Sequence, residues 1–197
     1  MNYLAHAYLS FGNPEILMGN MISDFVKGKK KFDYPSEIQK GIMLHRYIDT
    51  FTDTHEATKE AKEVFRPDYR LYSGAFVDVV YDHFLATDSA EFTDTTLFYF
   101  SQQVYSSLDR HLQWMPDRFA GMYPYMKKQN WLYNYRTLAG TWRSLEGVVR
   151  RSVHLTDSET AYKLFDKHYQ LLQSCFRHFW ASAKPSIQNQ FELLKSE

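Results

Sequence analysis

Cysteine is nearly missing from this 197-residue chain, with Cys175 standing alone. A single thiol excludes an internal disulfide and any cysteine-rich zinc site, and it fits a reducing cytoplasm. Glycine (8) and proline (6) are scarce, which suits long helices. Net charge is missing as well: 23 Lys and Arg balance 23 Asp and Glu. No overall field therefore draws the chain to nucleic acid or to an anionic membrane, and neither is expected as a partner except through local patches. No apolar run approaches the roughly 18 residues of a membrane span. The start, MNYLAHAYLS, lacks the basic region and cleavable apolar core of a signal peptide. The expected location is cytoplasmic. There is no internal repeat, linker, low-complexity tract, P-loop, GxGxxG or GxSxG.

What the chain does have is aromatic bulk, 17% of its residues, and the length of one domain with a substantial core. The expectation is a single all-α domain over residues 1–197, a helical bundle packed through large side chains.

The central stretch is SEIQKGIMLHRYIDTFTDTH, Ser36 to His55. Ser36 and Gln39 have the spacing of a capping box. At about 100° per residue, Ile38, Ile42, His45 and Asp49 share a narrow stripe flanked by Gly41, Ile48 and Thr52. An imidazole and a carboxylate one turn apart thus lie on the face that should be buried. An ionised carboxylate there must meet a cation, donors or water. The bland alternative is a core His-Asp hydrogen bond.

Ahead of it, a helix is expected from Pro14 to about Val26, ended by Gly28, with Asp24 in its last turn. That is the wrong end of the helix dipole for an anion, so Asp24 asks for a positive charge, from a metal or from Lys27. The run KGKKK, Lys27 to Lys31, reads as a basic loop. Asp53, with Glu56, can cap the following helix, and Arg66-Pro67 reads as a break.

Leu71 to Asp88 is apolar nearly all round and should be central. Leu71, Ala75, Asp78, Asp82 and Leu85 share one stripe, so two carboxylates one turn apart repel unless a cation sits between them or one holds a proton. On that reading, removing Asp49 or Asp82 from the metal-free protein should leave its stability unchanged or raise it. Further helices are expected over about Thr95–Gln113, Pro116–Lys128, Trp131–Leu138 and Thr141–Val153. A long one, capped by Asp157 or Ser158, runs through Trp180, with a last piece after Pro185. Arg136, Arg143, Arg150 and Arg151 recur at intervals that give a docking strip for phosphate or carboxylate.

His6, Asp24, His45, Asp49, Asp78 and Asp82 together make an oxygen-rich set with two imidazoles, suited to Mn²⁺, Mg²⁺ or iron rather than structural zinc. Such an ion acidifies water and neutralises phosphoryl oxygens, the equipment for hydrolysing a phosphate ester. A ferritin-like di-iron bundle needs Glu-x-x-His, which the chain lacks.

MNYLAHAYLS, GNMISDFVKG, GIMLHRYIDTFTD and DVVYDHFL, in this order, resemble the acyl carrier protein phosphodiesterases, a family distantly related to HD-type phosphohydrolases. Sparser likeness continues through LAGTWRSLEGVVRRS and FRHFW. The resemblance implies an HD-like helical fold and a Mn²⁺- or Mg²⁺-dependent enzyme. It would release 4′-phosphopantetheine from the serine of holo-acyl carrier protein. It also implies roles at the matched polar positions. Asp24, His45, Asp49, Asp78 and Asp82 would be metal ligands, and His6 or His83 would donate a proton. HD enzymes carry an adjacent His-Asp pair; here the adjacent pair is reversed, Asp82-His83, and helical geometry splays its members, so His83 is set apart from the ligands. An acidic carrier would dock on Lys29, Lys30, Arg143, Arg150 and Arg151. Two rival readings remain: an enzyme acting on a nucleotide or other small phosphate ester, and a helical binding module without catalysis.

Overall fold

A computed structural model describes residues 1–196. Among them are eleven α-helices and no strand: α1 (Tyr3–Tyr8), α2 (Pro14–Ile22), α3 (Ser36–Thr54), α4 (Glu56–Tyr69), α5 (Ser73–Thr87), α6 (Asp94–Asp109), α7 (Asp117–Lys128), α8 (Trp131–Asn134), α9 (Leu138–Arg151), α10 (Glu159–Lys167) and α11 (Tyr169–Ser196). The all-α expectation holds. No described helix is long and apolar enough to cross a membrane.

As its sequence demands, α5 is central: Phe76, Val77, Val80, Tyr81 and Leu85 are all fully buried. α1, α4, α9 and α11 pack around it. Tyr81 stacks on Phe179 of α11 with centroids 5.1 Å apart, and Phe76 stacks on Phe65 of α4 at 5.6 Å.

The closest helix pair is α2 with α3. A Cβ on Gly19 would lie 2.0 Å from the Ile38 carbonyl oxygen, and one on Gly41 would lie 2.2 Å from that of Ile16. The two backbones touch where neither residue has a side chain. Asn13 starts α2 by accepting the amides of Glu15 and Ile16, with Pro14 in the first turn.

Several expected boundaries move. α2 ends at Ile22 and a 3₁₀ turn, Ser23–Phe25, carries Asp24. Pro35, not Ser36, caps α3, and Gln39 donates from its side chain to the Tyr34 carbonyl at 2.8 Å. α4 is capped by His55, whose Nδ1 accepts the Ala57 amide; Asp53 instead pairs with Lys62 at 2.7 Å. Pro67 lies inside the last turn of α4, and the break comes at Arg70, with φ 47°. α11 runs straight through Pro185, because Ile187, Phe191 and Leu194 beyond it are buried and packing outweighs one lost hydrogen bond. The long C-terminal segment breaks at His168 instead.

Replacing Gly41 with alanine should destabilise the fold by about 3 kcal/mol, because backbone on both sides must part to admit the methyl group. Urea unfolding measures this; a midpoint matching wild type would show that the α2–α3 contact is looser than the structure has it.

Candidate metal centre

α1, α2 and α3 meet around one buried amide, the side chain of Asn20. Its Nδ2 donates to the His6 carbonyl at 2.8 Å and to Ser10 Oγ at 3.1 Å, which turns Oδ1 towards the His6 ring. His6 Nδ1 lies 2.8 Å from that Oδ1, and His45 Nδ1 lies 2.7 Å from the Asn20 backbone carbonyl. Both partners are pure acceptors, so each imidazole carries its proton on Nδ1. Each Nε2 then faces the same carboxylate. His45 Nε2 is 3.0 Å from Asp49 Oδ2 and His6 Nε2 is 3.2 Å from Asp49 Oδ1, while the rings stack with centroids 3.9 Å apart. Asp24 reaches His45 Nε2 at 3.2 Å from the open side, with its side chain 69% exposed.

The electrostatics follow from two imidazoles set against two carboxylates. Burial pulls the His45 pKa down, but hydrogen bonds to Asp24 and Asp49 outweigh it and lift the value to about 9. At neutral pH a proton therefore sits on Nε2 between the carboxylates. Burial and the neighbouring His45 charge both push the His6 pKa below its usual value. Burial would raise the Asp49 pKa, yet the two imidazoles hold it far below the carboxylate range. Asp24 is lowered as well, first by its hydrogen bond to His45. His6 Nε2 is buried with no partner of hydrogen-bond geometry, although Asp49 Oδ1 is near. An imidazole nitrogen that approaches a carboxylate without sharing a proton is placed as a fellow ligand would be.

The donors of His6, His45 and Asp49 lie within 4.8 Å of one another, a group able to hold a metal ion. The protonated Nδ1 atoms anchored on carbonyl oxygens are the outer support that metal-binding histidines need. Three ligands from two helices, with Asp24 exposed beside them, leave room for substrate.

The family model for acyl carrier protein phosphodiesterase matches residues 1–183. The chain belongs to this family. It is 35% identical over 190 residues to a Yersinia pestis protein named acyl carrier protein phosphodiesterase, covering 96% of this chain and 98% of that one. A Photorhabdus laumondii protein of the same name is 30% identical, covering 96% of each. An Enterobacter relative, again so named, is 35% identical over 181 residues, covering 91% of this chain and 94% of its own. No solved structure matches, so the expected kinship to HD-type enzymes has no structural neighbour behind it.

The polar positions that match the family separate into two groups. His6, His45, Asp49 and Asp24 come together, whereas Asp78, Asp82 and His83 find other partners. Asp78 accepts from the Met1 α-amino group at 2.8 Å, and that amine also lies 3.8 Å from Asp49. Asp82, fully buried, accepts the amides of Asn2, Leu4 and Ala5 at 3.3, 2.7 and 3.2 Å. Burial raises its pKa to about 7 against the pull of these amides and the amine. The two carboxylates expected to share an ion are thus served by an ammonium and by the positive end of α1. His83 Nδ1 donates to the Tyr135 carbonyl at 2.8 Å and Nε2 accepts from the Tyr169 hydroxyl at 3.0 Å, against the edge of Phe165. Both nitrogens are engaged inside the core, and His83 is not among the residues gathered at the cluster. Asn20 was not among the expected residues, though a fully buried amide in the apolar run of α2 was its signal.

The structure reverses the expected effect of removing Asp82. Asp82→Ala strands buried amides at the start of α1 and should cost about 3 kcal/mol. A melting temperature at or above wild type, measured without metal, would return Asp82 to the set of strained ligands.

Proposed function

We propose that this protein hydrolyses the phosphodiester between 4′-phosphopantetheine and the serine of holo-acyl carrier protein, at a Mn²⁺ or Mg²⁺ ion held by His6, His45 and Asp49. The observation that carries the proposal is the pair of Nδ1-anchored imidazoles converging on one carboxylate, in a chain whose relatives bear that enzyme's name. When bound, the ion supplies a Lewis acid that acidifies water and offsets phosphoryl charge.

The chain's own groups do the rest. Asn20 fixes both imidazoles so that no reorientation is needed during reaction. Asp24, ionised and exposed, is placed to take the proton of the attacking water. The water oxygen bonds to phosphorus as the bond from phosphorus to the serine oxygen breaks; that oxygen takes up a proton from solvent to leave as the serine hydroxyl, and Asp24 returns the proton it accepted to solvent. Beside the cluster, meeting it at Asp24 and Met1, lies a basin lined also by Asp78, Lys27, Arg118 and Arg151, and its arginines and lysine are placed to meet the charge that develops on the phosphoryl oxygens. His6, with one nitrogen on Asn20 and the other in the cluster, serves as a ligand rather than a proton donor. Lys29 and Lys30, exposed on the 3₁₀ stretch Gly28–Asp33, form a cationic rim for an acidic carrier, and Arg143, Arg150 and Arg151, exposed on α9, continue it towards the prosthetic-group end of the same substrate.

Mass spectrometry of holo-acyl carrier protein incubated with the protein and Mn²⁺ should show the carrier losing its prosthetic group. His45→Ala should abolish that loss. An unchanged carrier, with a nucleotide or other small ester hydrolysed instead, would overturn the substrate. Asn20→Ala frees one imidazole and should weaken Mn²⁺ binding about 10–100-fold by calorimetry; wild-type affinity would show that the amide does not support the site. Reversing Lys29, Lys30 and Arg150 to glutamate should raise KM for the carrier and flatten its salt dependence. An unchanged KM at low salt would move the docking surface elsewhere.

A further inference from the structure

Beyond the basin, between α9 and α8, lies a cavity of about 380 Å³, a size typical of small-molecule sites. It shares Asn2, Tyr3 and Arg151 with the basin, so the two are joined there. At Ala75 and Asp78 the basin opens again, into a recess carrying Lys62, Arg66 and Arg70 that shares no residue with the cavity. The groove therefore has two ends with the cluster's basin in the middle, as a diester has two arms and one phosphorus.

We propose that the cavity beside α9 is the slot for the pantetheine arm, with the phosphoryl group at Arg151; this rests on the function proposed above. The arm is a linear, uncharged chain with amide groups, and the slot offers matching handles. Asn2 Oδ1 is taken by the Tyr3 amide, Gln129 Oε1 by Trp131 Nε1, and Asn134 Nδ2 by the Gln129 carbonyl. Among the described residues this leaves Asn2 Nδ2, Gln129 Nε2 and Asn134 Oδ1 for an incoming amide's carbonyl and N–H. The aromatic wall does not suit a nucleobase: the rings of Tyr3 and Trp131 are 6.5 Å apart and tilted by 47°, so no two parallel faces bracket a flat ring. The protein-bearing end of the diester has the recess at Arg66 and Arg70 as its way out, where Lys62 is already paired with Asp53.

Gly147 lines the slot, and a Cβ there would meet only the tip of Arg151, at 3.2 Å, so a larger residue can enter the cavity without forcing backbone apart. Titration calorimetry of the metal-free protein with pantetheine and with 4′-phosphopantetheine tests the assignment apart from turnover. Wild type should bind both, the phosphorylated form more tightly. Gly147→Leu should weaken pantetheine binding at least tenfold while its melting temperature stays within a few degrees of wild type. Ser144→Phe, which fills the slot from the next turn of α9, gives a second reading should Gly147→Leu fold poorly. Wild-type affinity in a folded filled variant, no pantetheine binding by wild type, or displacement of pantetheine by adenosine monophosphate at equal affinity would each overturn the slot. Cleavage of holo-carrier alongside such a result would leave the proposed function standing. Pantetheine binding that the filled variants lose, in a protein that does not cleave holo-carrier, would remove the function and keep the slot.

Discussion

The site depends on one amide. Asn20 can hold both imidazoles only because α2 and α3 come into backbone contact at Gly19 and Gly41. A helix pair spaced by ordinary side chains, at about 8–10 Å between axes, would carry the Asn20 carbonyl out of reach of His45. The demand for a close approach is thus set by the chemistry of the site and met by two absent side chains. A proton held on each Nδ1 is the consequence, and it turns both Nε2 atoms towards one carboxylate.

A second constraint is electrostatic and concerns α1. This helix is six residues long, too short to persist alone, and it brings His6 to the site. Asp82 holds it by accepting amides at its start, so a residue without a place in the cluster fixes one that has. Asp78 and Asp49 draw the Met1 amine to the same spot. Carboxylates that would repel one another in an isolated α5 are separated by their partners, and the cost of burying Asp82 is offset by three donors and partial protonation.

Much of this was legible from the sequence. Helical periodicity made α5 central and put His45 and Asp49 together on the buried face of α3, and the motif order identified the family. Periodicity places residues on one helix only. It could not distinguish an Asp78–Asp82 pair facing a metal from one facing α1, because the partner lies some eighty positions away in the chain. The partners of His83 were hidden for the same reason: Tyr135 and Tyr169 arrive from α9's approach and from α11. Caps failed where two signals competed, as at Pro35 and Ser36, and Pro185 failed to break α11 because packing overrode local preference. Asn20 escaped because an amide carries no charge and matches no catalytic pattern, although its burial in an apolar run called for an explanation.

Anomalous diffraction at the manganese edge, from crystals grown with Mn²⁺, tests the central claim most directly. The account predicts a peak bonded to His6 Nε2, His45 Nε2 and Asp49, with both Nδ1 atoms still on Asn20. A peak held by Asp78 and Asp82, or an ion bound with His6 turned away from Asn20, would contradict it.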